Sequence, residues 1–231
     1  MNQDKIWDAY QNDKDLQFMG CRDGGRIDFF SKLIPQSASV LNIGVGLGRL
    51  EKLLFEKGVD VHSLDPSETS IANLQDNIGL GDRAKVGYSQ DIPFSENYFD
   101  FVIMTEVIEH LSDAVLKKTI SEVSRVLKPG GMFVGSVPAN ENLIEGVVIC
   151  PHCGERFHRW GHQQSFSALS LREAIAANFE EVSVQRIVFL DFKSLNWKGK
   201  LSSCLRWLQA RLGKTGSNQN FYFSARKDYK Q

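Results

Sequence analysis

Val40-Leu41-Asn42-Ile43-Gly44-Val45-Gly46-Leu47-Gly48-Arg49-Leu50 decides how the rest of the chain is read. A short apolar run ends in glycines spaced G-x-G-x-G. An amphipathic segment follows, with Leu50, Leu53 and Leu54 on one face. This pattern is strand, tight turn, helix. A turn of glycines carries no Cβ, so a ligand can approach its backbone within van der Waals distance. The N–H groups at the helix start can then meet a polar or anionic ligand. A glycine turn alone serves plain strand–helix connections as often as ligand cradles, so the flanking residues must decide.

Outward from that turn, strands and helices alternate. Val40–Ile43 is the first strand and Arg49–Lys57 the first helix, closed by Gly58. Val59–Leu64 is a second strand ending at Asp65-Pro66. Ile71, Leu74 and Ile78 mark a second helix whose cap is Ser67. Ala84–Tyr88 and the near-continuous apolar Phe99–Met104 are the third and fourth strands. Leu116, Ile120, Val123 and Leu127 line one face of a helix that stops at Pro129-Gly130-Gly131, before a fifth strand at Met132–Val137. A helix over Ser170–Asn178 carries a capping box, Ser170-x-x-Glu173. Val182–Leu190 and Asn220–Arg226 close the chain as an antiparallel pair. Apolar strands alternating with helices predict an α/β fold, a Rossmann-like three-layer sandwich around a mostly parallel sheet. Before it, Ile27, Phe30, Ser31 and Ile34 form a helical stripe ending at Pro35. The first 25 residues, with Trp7, Tyr10 and Phe18, read either as a packed cap or as a flap over a ligand.

Composition narrows the class. The 231 residues, 42% hydrophobic and 24% charged, suit one sizeable globular domain. No apolar run approaches the ~20 residues that span a bilayer, and no signal peptide is visible, so a cytoplasmic location is expected. The net charge of −1 gives no general reason to expect nucleic acid. The charge is uneven, however. Residues 1–140 hold 14 Lys and Arg against 20 Asp and Glu, whereas residues 141–231 hold 13 against 8.

In such sheets ligands sit beyond the carboxyl ends of the strands, at the switch point in strand order. Asp65 ends the second strand 21 residues after Gly44, where an acid can accept both hydroxyls of a ribose. It could equally cap the turn at Pro66. Gln90-Asp91-Ile92 follows the third strand, where a carboxylate or amide can receive an adenine amino group, or Asp91 can open a turn before Pro93. Thr105-Glu106-Val107-Ile108-Glu109-His110 follows the fourth strand on the same edge. No lysine lies in the glycine turn, which favours a nucleoside over a nucleotide triphosphate.

Val40–Gly48, Asp65, Asp91-Ile92-Pro93-Phe94-Ser95, Tyr98-Phe99-Asp100, Glu106–Leu111 and Glu122–Gly131 together resemble the class I S-adenosylmethionine-dependent methyltransferases, in particular the small-molecule, quinone-biosynthesis-like branch. The resemblance spans roughly residues 38–137. It implies a seven-stranded sheet with an antiparallel last strand in a single methyltransferase domain. Residues 1–37 form an N-terminal helical cap and 38–137 the cofactor-binding core. Residues 138–167 form a lid insert, and 168–231 the C-terminal helix and closing strands with a basic helical insert. By the same resemblance Gly44, Gly46 and Gly48 border the methionine part of S-adenosylmethionine, Asp65 with Pro66 holds the ribose, and Asp91 with Ile92 flanks the adenine. Thr105 and Glu106 line the methyl-transfer mouth. Asn42 stands where the family usually has Asp or Glu near the cofactor's ammonium group, so that contact lacks charge assistance. The expected reaction is in-line methyl transfer to oxygen, nitrogen or carbon of a small molecule. An RNA or protein methyltransferase and a non-catalytic S-adenosylmethionine-binding homologue are the alternatives. Glu106, Glu109 and His110 are the base candidates if the acceptor must lose a proton, with Glu106 and His110 as the expected catalytic pair.

Two stretches fall outside this core. Cys150-Pro151-His152-Cys153 and His158-Arg159-Trp160-Gly161-His162 place two thiols and three imidazoles within thirteen residues. Cys150, Cys153, His158 and His162 are the donor types of a tetrahedral structural zinc. A redox pair, or an unmetallated lid in which His152, His158 and His162 meet substrate, remains open. Within Phe192–Lys214, Trp197, Leu201, Leu205, Leu208 and Leu212 recur at helical spacing among basic residues. This is either a helix packed on the domain or one that meets a membrane surface or an anionic substrate. Cys204 near that stripe, and His62 within a strand, are expected to pack.

Overall fold

The computed structural model describes residue 6 and residues 24–189, 197–211 and 219–229. The aromatic segment with Trp7, Tyr10 and Phe18 lies outside the described residues, as do 190–196 and 212–218 of the basic segment.

Helix α1 (Gly24–Leu33) leads into strand β1 (Ser39–Ile43), followed by α2 (Arg49–Glu56), β2 (Asp60–Asp65) and α3 (Glu68–Asn73). A π-turn, Leu74–Ile78, extends α3. Then come β3 (Ala84–Val86), β4 (Phe99–Thr105), α4 (Asp113–Val126) and β5 (Leu127–Pro138). A small hairpin, β6 (Val147–Ile149) and β7 (Arg156–His158), precedes α5 (Ala168–Ala176), β8 (Glu180–Ile187), α6 (Trp197–Arg211) and β9 (Asn220–Arg226). Seven strands form one sheet in the order β3-β2-β1-β4-β5-β9-β8, with β9 antiparallel to both its neighbours. The Rossmann-like sandwich with one antiparallel strand is therefore present.

Successive side chains of a strand point to opposite faces. Val40 joins a core beneath Phe30, Leu54, Ile71 and Leu74, while Leu41 joins the opposite core with Val102, Phe133, Ile120 and Leu171. Both faces of the sheet are thus covered, which is why its central strands are continuously apolar. Strand order reverses between β1 and β4, so the loops after these two strands form the crevice of the fold.

Three local expectations shift. Helix α4 ends at Val126, and β5 begins at Leu127, running through Lys128-Pro129-Gly130-Gly131. A register irregularity between Phe99 and Phe101 accommodates the proline, whose missing N–H is tolerable at a bulge near the start of a strand. The cap of α5 is Ser167, three residues before the expected Ser170. The Ser167 hydroxyl accepts the Ser170 N–H and the Ser170 hydroxyl accepts the Ser167 N–H, so Ser170 does what Glu173 was expected to do. Strand β3 is shorter than expected and stops at Val86, whose pairing with Asp65 is held by the Gly87 N–H donating to the Asp65 carbonyl.

Candidate active site

The glycine turn is built by close packing. Gly44 has φ +85°, and a Cβ there would run into Cγ2 of Val107, which belongs to the loop after β4. Only glycine lets the two crevice loops touch here. Gly46, at φ +53°, has nothing within 4 Å of where its Cβ would stand, so open space lies against this backbone. Gly48, also left-handed, caps α2.

Asp65 is buried and joins the turn to the end of β2. Its Oδ2 accepts the Val45 N–H at 2.9 Å and its Oδ1 accepts the Ser67 N–H at 2.9 Å. Ser67 caps α3 as expected, and Pro66 lies exposed between the two. Below the turn the Asn42 amide donates to Glu51 Oε1 at 2.6 Å. Asn42 Oδ1 and Glu51 Oε2 are buried without hydrogen-bond partners. Burial pushes the Glu51 carboxyl up to about 7, against the hydrogen bond from Asn42. Asp91 is exposed beside the third crevice loop, while Ile92 packs into the core and its N–H donates to Glu122 Oε2 at 2.9 Å.

At the mouth, Thr105 ends β4 and Glu106 adopts φ +56°, an unusual backbone for a side chain of its size. Its Oε1 accepts from Ser136 Oγ at 2.8 Å and from Asn220 Nδ2 at 3.1 Å, and lies 3.5 Å from the Arg26 guanidinium. Strands β5 and β9 and helix α1 therefore fix this carboxylate. Glu109 is buried, and burial, followed by the charge of Glu106, holds its carboxyl well above the usual range. His110 is pushed down to about 3, first by burial and then by His162. It is neutral near neutral pH and a weak proton acceptor.

The insert folds back on this mouth. The backbone N–H groups of Gln163 and Gln164 both donate to the Glu109 carbonyl, at 2.8 and 3.0 Å. His162 comes to 4.6 Å from His110, ring centre to ring centre, and stacks on His158 at 4.7 Å. His162 Nδ1 lies 2.5 Å from Glu141 Oε2. The expected four-ligand set does not assemble. His158 and His162 converge with Glu141, and among the described residues no cluster of metal-ligating side chains contains a cysteine. Cys150 and Cys153 instead sit at the hairpin tip, where the backbone N–H groups of Cys153 and His152 lower the Cys150 thiol below its ordinary value. The tip is held apart by the β6–β7 pairing, so the C-x-x-C and H-x-x-x-H halves point to different places. His152 is exposed there.

Glu51, Glu141, Arg26 and Asn220 escaped the sequence reading. Glu51 and Glu141 carried a signal: Glu51 falls on the buried face of α2 beside Leu50 and Leu54, and Glu141 follows the end of a central strand. Arg26 and Asn220 reach Glu106 only through the tertiary fold.

A doubly covered sheet with a glycine turn, a buried acid after β2 and polar residues after β4 is the nucleoside-binding arrangement of the Rossmann-like class. Residues 41–135 match the family model described as a methyltransferase domain. An uncharacterised methyltransferase of Synechocystis is 33% identical over 100 residues, 43% of this chain and 47% of that protein. The ubiquinone biosynthesis O-methyltransferase of Rhizobium etli is 25% identical over 188 residues, 77% of this chain and 73% of that protein. Among solved structures, a chain of the complex between the Haloferax volcanii Trm112 methyltransferase activator and a methyltransferase superposes with TM-score 0.68 at 22% identity, covering 96% of this chain and 97% of that one. The Burkholderia thailandensis 1,6-didemethyltoxoflavin-N1-methyltransferase, crystallised with S-adenosylhomocysteine, does so with TM-score 0.64 at 18% identity, covering 98% and 87%. Over residues 41–135, and in its fold, the chain is similar to S-adenosylmethionine-dependent methyltransferases. It spans about half the length, or less, of the first curated relatives it matches. Among the described residues, no helix is long and apolar enough to cross a membrane.

Proposed function

We propose that the chain transfers the methyl group of S-adenosylmethionine to an oxygen, nitrogen or carbon of a small molecule, with the crevice between the β1 and β4 loops as its site. The observation that carries this reading is the link between Asp65 and the Val45 N–H, which ties a buried acid to a glycine turn with open space beside it. The residues fit the cofactor: open space at Gly46, a buried amide oxygen on Asn42 beneath the turn, and the buried carboxylate of Asp65 at the end of β2. Gly44, Gly46 and Gly48 would border the methionine part, Asp65 and Pro66 the ribose, and Asp91 with the Ile92 turn the adenine. When bound, the cofactor supplies the electrophilic sulfonium methyl.

The chain's own contribution is alignment and proton handling. Thr105 and Glu106 face the acceptor. Glu106, fixed from three elements, takes the acceptor's proton where one must be lost. His110 is too weak a base for that task. The Rhizobium relative, an O-methyltransferase by name, favours an oxygen acceptor. The test is formation of S-adenosylhomocysteine from S-adenosylmethionine in the presence of a small-molecule metabolite extract, against the same reaction with bulk tRNA. Turnover with the extract alone supports the proposal. Turnover only with RNA or protein, or none with any acceptor, favours the alternatives.

We also propose that α6 rests on an anionic lipid surface. Packing was the simpler expectation for this helix, yet Trp197, Leu201, Leu205 and Leu208 are exposed, at 70%, 57%, 55% and 49%. Cys204 is exposed with them. Lys198 and Lys200 flank the stripe, the composition of a helix lying in a membrane interface.

A further inference from the structure

Glu109 is 1% exposed, and neither of its carboxylate oxygens has a hydrogen-bond partner. A desolvated acid without donors costs free energy that a fold normally avoids. Around it stand two imidazoles. One ligand atom each from Glu109, His110 and His162 lie within 4.8 Å of one another. We propose that Glu109, His110 and His162 bind one divalent first-row transition ion, a site different from the Cys150, Cys153, His158 and His162 set that the sequence suggests.

The neighbours of His162 support that assignment. Its Nδ1 at 2.5 Å from Glu141 Oε2 places the ring proton on Nδ1 and leaves Nε2 with the lone pair a cation needs. Metal-binding histidines are oriented in this way by an outer carboxylate. A second triad, Glu141, His158 and His162, is equally compact. His158, however, spends its Nδ1 lone pair on the His162 N–H at 3.1 Å. Its neutral ring then carries the proton on Nε2 and has no lone pair left for an ion. Glu141 and His158 thus form the outer layer, with His158 seated against Gly146, where a Cβ would occupy the space of the ring. The loop carrying His162 is zipped to the Glu109 carbonyl, and Gln164 Nε2 donates to the Leu111 carbonyl at 2.5 Å. The fold itself brings the three ligand atoms together.

Two imidazoles and one carboxylate suit zinc, manganese, cobalt or iron(II) better than calcium or magnesium. Three protein ligands leave coordination positions open, as in catalytic sites. Glu109 lies three residues beyond Glu106, so an acceptor oxygen bound at the ion would stand beside the methyl-transfer mouth. That role rests on the methyltransferase reading; ion binding does not.

The test is titration of the chelator-stripped chain with Co²⁺, Zn²⁺ or Mn²⁺, each alone, by calorimetry, with the absorption spectrum of the Co²⁺ form. Expected are one ion per chain, a spectrum without a thiolate-to-cobalt charge-transfer band, and a higher Tm with metal. Glu109→Gln and His162→Ala each weaken binding by at least about tenfold, and the Cys150→Ser/Cys153→Ser double variant does not. Stripped Glu109→Gln keeps a Tm at or above that of the stripped parent, since an amide replaces a buried unpaired acid, so lost binding there is not lost folding. No bound ion, a thiolate band, or undiminished affinity in Glu109→Gln overturns the proposal. No readout involves S-adenosylmethionine, so failure of the methyl-transfer reading would leave this result intact.

Discussion

Asn42 donates its amide to Glu51 across 2.6 Å, and the acid it serves has no exposed surface. The one hydrogen bond does not offset the lost hydration, and the Glu51 carboxyl rises from 4.5 to about 7. The fold therefore prefers the protonated acid. This contribution is fully present below about pH 4.5, where the unfolded chain is protonated too. It is lost as pH rises to the folded value, amounting to about 3 kcal/mol at most. Glu51→Gln should flatten the loss and raise stability above about pH 7 by up to that amount. Urea unfolding on either side of that window checks it; an unchanged pH slope in the variant would remove Glu51 from the account.

Asp65→Asn should weaken S-adenosylhomocysteine binding by about tenfold or more, because two N–H groups and a ribose are to be served by charge-assisted acceptors. An amide presents an NH₂ where one of those N–H groups now donates. Calorimetry on both proteins measures the difference, and equal affinities would mean that Asp65 only shapes the turn.

Gly44→Ala should cost about 1–2 kcal/mol for the left-handed backbone alone. The clash with Val107 adds to that and shifts the loop bearing Glu106. The expected result is a lower Tm together with weaker cofactor binding. A variant with parental Tm and affinity would show that the two loops do not need this contact.

Glu106→Gln separates positioning from proton transfer. The amide can keep the hydrogen bonds to Ser136 and Asn220 yet cannot take a proton. For a hydroxyl acceptor, kcat should fall by about 10²-fold or more while cofactor affinity stays within a few-fold. A loss confined to KM would make Glu106 a binding residue.

For α6, Lys198→Glu/Lys200→Glu should reduce sedimentation with vesicles containing anionic lipid, and added salt should reduce it for the parent chain. Equal binding to neutral and anionic vesicles would contradict the electrostatic part of the proposal.

The core of the fold was legible because its signals are local. Val40–Ile43 and Phe99–Met104 are apolar on both faces, Gly44 to Gly48 punctuate one turn, and the 3.6-residue period of Leu116, Ile120 and Val123 survives folding intact. The end of α4 was not legible, since Pro129-Gly130-Gly131 reads as a stop whether or not the following strand has already begun. The Cys/His insert misled for a physical reason. Sequence proximity placed two thiols beside two imidazoles, but hairpin pairing carries Cys150 and Cys153 to a tip and turns His162 toward Glu109 and His110, some fifty residues earlier. Nearness in the chain is not nearness of ligand atoms. Arg26 and Asn220 reach Glu106 across the sheet, and no spacing rule could have named them.

Calorimetric titration of the purified chain with S-adenosylhomocysteine tests most directly whether the crevice between the β1 and β4 loops is a cofactor site. Saturable binding of one molecule per chain, weakened in Asp65→Asn, is the predicted result. A chain that is folded by thermal melting and shows no binding heat or stabilisation at saturating ligand would contradict it.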